Sequence, residues 1–336
     1  MPSFERESNR IVIAGASSLL GAELKSLLEE SKFAGWDFRL VDEEVVAGTL
    51  TEAGGEPVVI QPVEEGSFDK ARLIFFTGTF SFTLANFEMA LRSGAVVIDL
   101  SGHSIGIADT FVWYPGIEKL RKQTLPEKLH LAAVPSAAAE GIVRLSLALQ
   151  GFGLQTLTST VLQSVSATGK KGIEELETQT KQLLTFQSPG KELFDLQVAF
   201  NTVDRFGPAR QADSHSARLT LRNELSACLR EGGVLPAVDL VHVPVFYGVT
   251  FSACAKLDDG AEKGKIAEAC QQAGFAIIDE WGIGPNNIGA AGETAGQLSK
   301  PHADGLQPGS WWFWGAADNI RLPAWNAVKL AEKLVP

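Results

Sequence analysis

A chain of 336 residues, 45% of them hydrophobic, with 33 Gly and 15 Pro, has globular composition and the length of about two domains. Its formal net charge of -11 lacks the basic footprint of a non-specific nucleic-acid binder and offers no attraction to anionic lipid. No apolar run approaches the roughly 18 residues of a membrane span. Met1 to Arg10 shows no secretory pattern, so the expectation is a cytoplasmic protein with no membrane or nucleic-acid partner. Three cysteines, Cys228, Cys254 and Cys270, form neither an even set nor a metal-ligand spacing. The five histidines are scattered, and no metal site is expected.

Arg10 to Ala14 (RIVIA) is a short β-branched run, the pattern of a strand buried on both faces. Gly15 to Gly21 follows directly, and Leu20 to Glu30 carries Leu20, Leu24, Leu27 and Leu28 at helical spacing. Phe38 to Val41 reads as a second strand, Val58 to Gln61 as a third and Arg72 to Thr77 as a fourth. A helix over Phe82 to Arg92 stops at Gly94, and Ala95 to Leu100 and Leu129 to Val134 are further buried strands. Strand–helix alternation of this kind predicts βαβ units and a doubly wound parallel sheet. From Thr156 the build changes. Thr156 to Ala167 reads as a long strand and Lys170 to Leu184 as a helix. Val238 to Pro244 and Val249 to Lys256 alternate as a sheet with one buried face does. Trp325 to Leu334 is an amphipathic helix. The predicted fold is an α/β doubly wound domain plus an α+β domain with a largely antiparallel sheet.

Gly15-Ala16-Ser17-Ser18-Leu19-Leu20-Gly21 sits where a dinucleotide loop belongs, with Ser18 in place of its middle glycine. Backbone N–H groups at such a helix start meet a pyrophosphate, and a Cβ at position 18 crowds that approach while its hydroxyl can donate. A plain strand-to-helix turn is the alternative. Asp42, Glu43 and Glu44 close the second strand, where an acidic group takes a ribose 2′-hydroxyl and repels a 2′-phosphate; a solvated acidic turn is again the alternative.

Four segments resemble the aspartate-semialdehyde dehydrogenase family. They are Gln163-Ser164-Val165-Ser166-Ala167-Thr168-Gly169-Lys170, Val198-Ala199-Phe200-Asn201, Val243-Pro244-Val245 before Gly248, and Ala317-Asp318-Asn319-Ile320-Arg321 with Asn326-Ala327-Val328. They lie in family order, and with Gly15 at the start the likeness spans nearly the whole chain. The resemblance implies a Rossmann domain (1–133 and 318–336) and a catalytic, dimer-forming domain (134–317). It implies NADP-linked interconversion of an acyl phosphate and a semialdehyde through a cysteine thioester. Cofactor contacts implied are Gly15, Ser17, Ser18, Leu19, Leu20, Gly21, Asp42, Gly78, Ser166, Gly169 and Asn319, with NAD favoured over NADP by the acidic end of the second strand.

Carried over residue by residue, the catalytic set is largely replaced. Aligned on Pro135, the nucleophile position is Ala137. Counted from Val243, the base position is Val249, and the arginine that holds the substrate carboxylate is His242. An arginine expected after the fifth strand falls near Ile105, and an E-x-x-K pair falls on Ala217 and Thr220. Gln163 is retained. A thioester needs a thiolate, and neither an alanine nor a valine can attack or accept a proton. The expectation is a homodimeric relative, catalytically impaired or repurposed, that can still bind a nucleotide or small molecule. An oxidoreductase with altered chemistry and a regulatory or structural dimer partner are the alternatives.

Overall fold

The computed structural model describes residues 9–335 except 47, 49, 54–55, 123, 212–213, 231 and 279–282. The chain divides into two compact units, one of Met1–Glu118, Lys122–Pro135 and Pro323–Pro336, the other of Lys119–Arg121 and Ser136–Leu322.

In the first unit the elements run β1 (Arg10–Ala14), α1 (Leu19–Glu29), β2 (Asp37–Asp42), β3 (Leu50–Ala53), β4 (Glu56–Val59), β5 (Gln61–Pro62), β6 (Leu73–Phe76), α2 (Phe80–Arg92), β7 (Val96–Asp99), β8 (Phe111–Val112), α3 (Ile117–Arg121) and β9 (Leu131–Ala133). Seven strands pair in the order β5-β2-β1-β6-β7-β9-β8, and every pairing is parallel. The apolar runs explain the burial: Ile11, Val12, Ile13, Leu73, Ile74, Phe75 and Phe76 are fully enclosed, because helices cover both faces of such a sheet. The strand order reverses between β1 and β6, the switch point at which open α/β sheets bind ligands. The expected third strand resolves into two. Glu56–Val59 pairs antiparallel with Leu50–Ala53 as a separate hairpin, and only Gln61–Pro62 joins the main sheet beside β2.

The second unit contains α4 (Ala137–Leu149), β10 (Thr156–Gln163), α5 (Lys170–Leu184), α6 (Ser214–Leu229), β11 (Ala237–His242), β12 (Val249–Lys256), α7 (Lys263–Gln272), β13 (Ala276–Ile278), α8 (Asn287–Ala290), β14 (Gln297–Ser299), β15 (His302–Ala303) and β16 (Ser310–Ala317). The final helix, α9 (Arg321–Leu334), returns to the first unit from Pro323 on. Its sheet runs β11-β10-β12-β16-β14-β13, with β15 beside β16. The long pairs β10–β12, β12–β16 and β14–β16 are antiparallel, while β10–β11 and β13–β14 are parallel. The strand expected over Thr156 to Ala167 ends at Gln163. Beyond it the Val165 and Ser166 N–H groups donate to Val245 and Phe246 carbonyls, and the chain coils into a short 3-10 turn over Val165–Thr168.

Alternation on β12 buries Val249, Phe251, Ala253 and Ala255 on one face and leaves Ser252 and Cys254 on the other, partly exposed. Helix α4 packs on the buried face. A Cβ at Gly141 would stand 2.9 Å from the Phe251 ring and one at Gly315 2.3 Å, so these two glycines make room for that ring.

Candidate functional site

The loop after β1 is held tightly within the first unit. Gly15 has φ +91°, and an added Cβ would lie 2.2 Å from the Gly78 nitrogen, so the turns after β1 and β6 touch through two glycines. Ser18 caps α1: its Oγ accepts from Gly21 N–H (2.8 Å) and donates to the Thr77 carbonyl (2.9 Å). The side chain that replaces the middle glycine therefore serves as helix cap and as a tie to β6. Asp42 is buried. Its carboxylate accepts from Ser17 N–H (2.7 Å) and Glu43 N–H (2.8 Å), while Glu43 and Glu44 stay exposed. The aspartate thus reads the loop backbone, a contact that sequence inspection does not reveal.

In the second unit three carried-over positions fall in one row. His242 is registered with Gln163, Gln163 with Val249, and Val249 with Ala317, across four adjacent strands. Registered neighbours share a sheet face, here the face that α4 covers. Val249 is 4% exposed and Gln163 is half-buried. Ala137 is the first residue of α4, 3% exposed, on the helix side of Gly141 one turn later. Gly141 faces Phe251, two residues beyond Val249 on the same strand face. Ala137 and Val249 therefore lie on mating surfaces of one helix and one sheet, and both are hydrocarbon.

Ser136, next to Ala137, is the N-cap of α4. Its N–H and Oγ both donate to the buried Glu224 carboxylate (2.9 and 2.6 Å), and its Oγ accepts from Ala139 N–H (3.3 Å). Glu224 anchors α6 to the start of α4. Ala217 and Thr220 also lie on α6, and Ile105, in the first unit, is 3% exposed. Of the remaining implied contacts, Ser166 and Asn319 meet: Asn319 Nδ2 donates to Ser166 Oγ (3.0 Å), and its Oδ1 accepts from Gly248 N–H (2.7 Å). Gly169, at φ +78°, opens α5. Burial pushes the Cys270 thiol up to about 12 and raises that of Cys228, and burial with the Asp304 charge second raises that of the partly exposed Cys254. Among the described residues no group of three or more His, Cys, Asp or Glu is gathered for a metal. No helix among them is long and apolar enough to cross a membrane.

A small pocket opens beside the row, lined by Val165, Thr168, Val198, Asn201, Val203, Phe206, His242 and Val243. Three of the four segments that carry the family resemblance supply lining residues. His242 is 6% exposed, its ring lies 4.2 Å from that of Phe206, and its Nε2 is buried with no hydrogen-bond partner. Burial, with the Arg218 charge second, lowers the His242 pKa from an ordinary 6.5 to about 4. Sequence reasoning missed Arg218 and Phe206. Arg218 Nη2 donates to the Leu240 and Asp204 carbonyls (3.0 and 3.2 Å), and its Nε stands 3.1 Å from Asp239 Oδ1.

Above pH 6.5 both folded and unfolded His242 are neutral; as pH falls from 6.5 towards 4 the unfolded chain takes up a proton that the folded chain refuses, so stability drops. The loss is on the order of 3 kcal/mol by pH 4. His242→Phe is expected to flatten that part of the acid slope in urea unfolding between pH 7 and pH 4; an unchanged slope would contradict the burial of a neutral imidazole.

A parallel doubly wound unit with a glycine-bridged switch point, joined to a mixed-sheet unit carrying a helix-on-sheet site, defines a two-domain dehydrogenase architecture. Residues 146–322 match the semialdehyde dehydrogenase dimerisation domain. A USG-1 protein homolog from Pseudomonas aeruginosa is 30% identical over 97% of both chains. The structure of a probable aspartate-semialdehyde dehydrogenase from Pseudomonas aeruginosa superposes with a TM-score of 0.85 at 26% identity, covering 97% of this chain and 98% of that one. A crystal structure of aspartate-semialdehyde dehydrogenase with NADP from Candida albicans matches at a TM-score of 0.67 and 12% identity, over 97% and 99% of the two chains. The chain belongs to the semialdehyde dehydrogenase family.

Proposed function

We propose that this family member is a cytoplasmic, homodimeric, dinucleotide-binding protein that has lost thioester chemistry. One observation carries the reading: Ala137 occupies the buried first position of α4, where a thiolate is required, and faces a sheet row in which Val249 and His242 stand at the base and carboxylate-gripping positions. Without a nucleophile and a proton acceptor on those surfaces, no acyl group can be held covalently there.

Nucleotide binding is supported by the first unit. A glycine turn after β1 leads directly into the N-terminus of α1, the place where a pyrophosphate is bound in such sheets, and the residues at the end of β2 are three carboxylates. A 2′-phosphate at that strand end would meet the exposed Glu43 and Glu44 carboxylates, so NAD is expected to bind more tightly than NADP in titration calorimetry. Tighter NADP binding would sink this choice.

Homodimer formation is supported by the dimerisation-domain match and by the open sheet face, where Trp312 and Trp314 are 36% and 37% exposed beside partly exposed Ser252 and Cys254. Large aromatic groups on an uncovered sheet face are the material of an obligate interface. Light scattering at micromolar concentration is expected to return a dimer mass; a monomer mass would refute it.

A further inference from the structure

We propose that the pocket beside His242 receives the neutral, hydrogen-bonding tip of a largely apolar small molecule, a primary amide or a hydroxyl, and rejects carboxylates. The inference rests on the reading above that position 242 has exchanged a carboxylate-gripping group for an imidazole.

The geometry is that of a selective slot. Its free space is about 10 Å³, room for one water-sized group. Its walls are apolar side chains, Val165, Val198, Val203, Phe206 and Val243. Its polar lining residues are Asn201, Thr168 and His242, whose Nε2 is buried with no hydrogen-bond partner. Thr168 Oγ1 already donates to the Val165 carbonyl (2.8 Å) and Asn201 Nδ2 to the Gln197 carbonyl (2.9 Å), which leaves them acceptor capacity. A group that both donates and accepts in one small volume satisfies this set, and hydroxyls and primary amides are such groups.

A carboxylate fails on charge. Burying it among these walls needs a cation within reach, and Arg218, whose charge acts on His242, is already beside the Asp239 carboxylate and donates to two carbonyls. The imidazole itself is kept neutral by burial and by Arg218. An unpartnered polar atom in a native interior is unfavourable, so a ligand that satisfies Nε2 gains what the free protein lacks.

The test uses full-length protein labelled in its histidines and titrated at pH 7 with propionamide and with propionate, which share a carbon skeleton. The His242 imidazole resonance is assigned by its loss in H242F, whose folding is checked by its melting curve. Propionamide is expected to shift that resonance saturably, with an apparent affinity about ten-fold or more above that of propionate, the cost of one uncompensated buried polar group. H242F is expected to lose propionamide binding. Equal or tighter binding of propionate, no response of His242 to either compound, or undiminished propionamide binding by folded H242F would each overturn the proposal. Semialdehyde turnover is a separate readout, so failure of the parent reading is distinguishable from failure of this one.

Discussion

Restoring cysteine at position 137 alone is expected to leave the protein without phosphate-dependent oxidation of aspartate semialdehyde. Loss of a covalent nucleophile can cost on the order of a million-fold in rate, and groups that act as one unit do not add. The new thiol at the start of α4 would face Val249, which cannot take its proton, and a row whose His242 is buried and neutral. A helix N-terminus lowers a thiol pKa but does not supply a proton acceptor. The combined change Ala137→Cys, Val249→His and His242→Arg is expected to give a measurable trace where the single change gives none. Ordinary turnover by Ala137→Cys alone would show that a different residue serves as base. The assay is reduced-nucleotide absorbance with semialdehyde and phosphate.

Arg144→Met is expected to destabilise the second unit by about 3–5 kcal/mol, read as a lower urea midpoint, because it removes one partner of a buried ion pair together with the donor to the Ala273 carbonyl. Arg144 and Glu140 sit one turn apart on α4, 8% and 2% exposed, and Arg144 Nε donates to Glu140 Oε1 at 2.7 Å. Arg144 Nη1 also donates to the Ala273 carbonyl at the end of α7, and Gly274, at φ +104°, leaves space for the guanidinium. The pair thus fastens α7 to the helix that bears Ala137. Adding Glu140→Gln to Arg144→Met should recover part of the loss, since one buried carboxylate charge is then gone. A loss below about 1 kcal/mol would mean that water reaches the site.

Local pattern made much of this legible. Period-two alternation placed Val249 and Cys254 on opposite faces of β12, and the structure buries the first and leaves the second partly exposed. The continuous run Arg10 to Ala14 gave a central strand because only a strand covered on both faces can be apolar throughout. Other features depend on partners distant in sequence. Nothing in Ser164 to Ala167 indicates that Val165 and Ser166 turn from the ladder to the carbonyls of Val245 and Phe246. The oxygens of Asp42 engage the Ser17 and Glu43 N–H groups, contacts set by how the loop closes over β2. Likewise the link between Arg218 and His242 joins a helix to a strand about twenty residues on, with no motif to announce it.

Turnover by the unmodified protein tests the loss of thioester chemistry most directly. Purified protein supplied with aspartate semialdehyde, phosphate and either NAD or NADP is predicted to form no reduced nucleotide above the enzyme-free background. A rate of about one per second or more, ordinary for an enzyme, would contradict the assignment of Ala137, Val249 and His242 to the reacting positions.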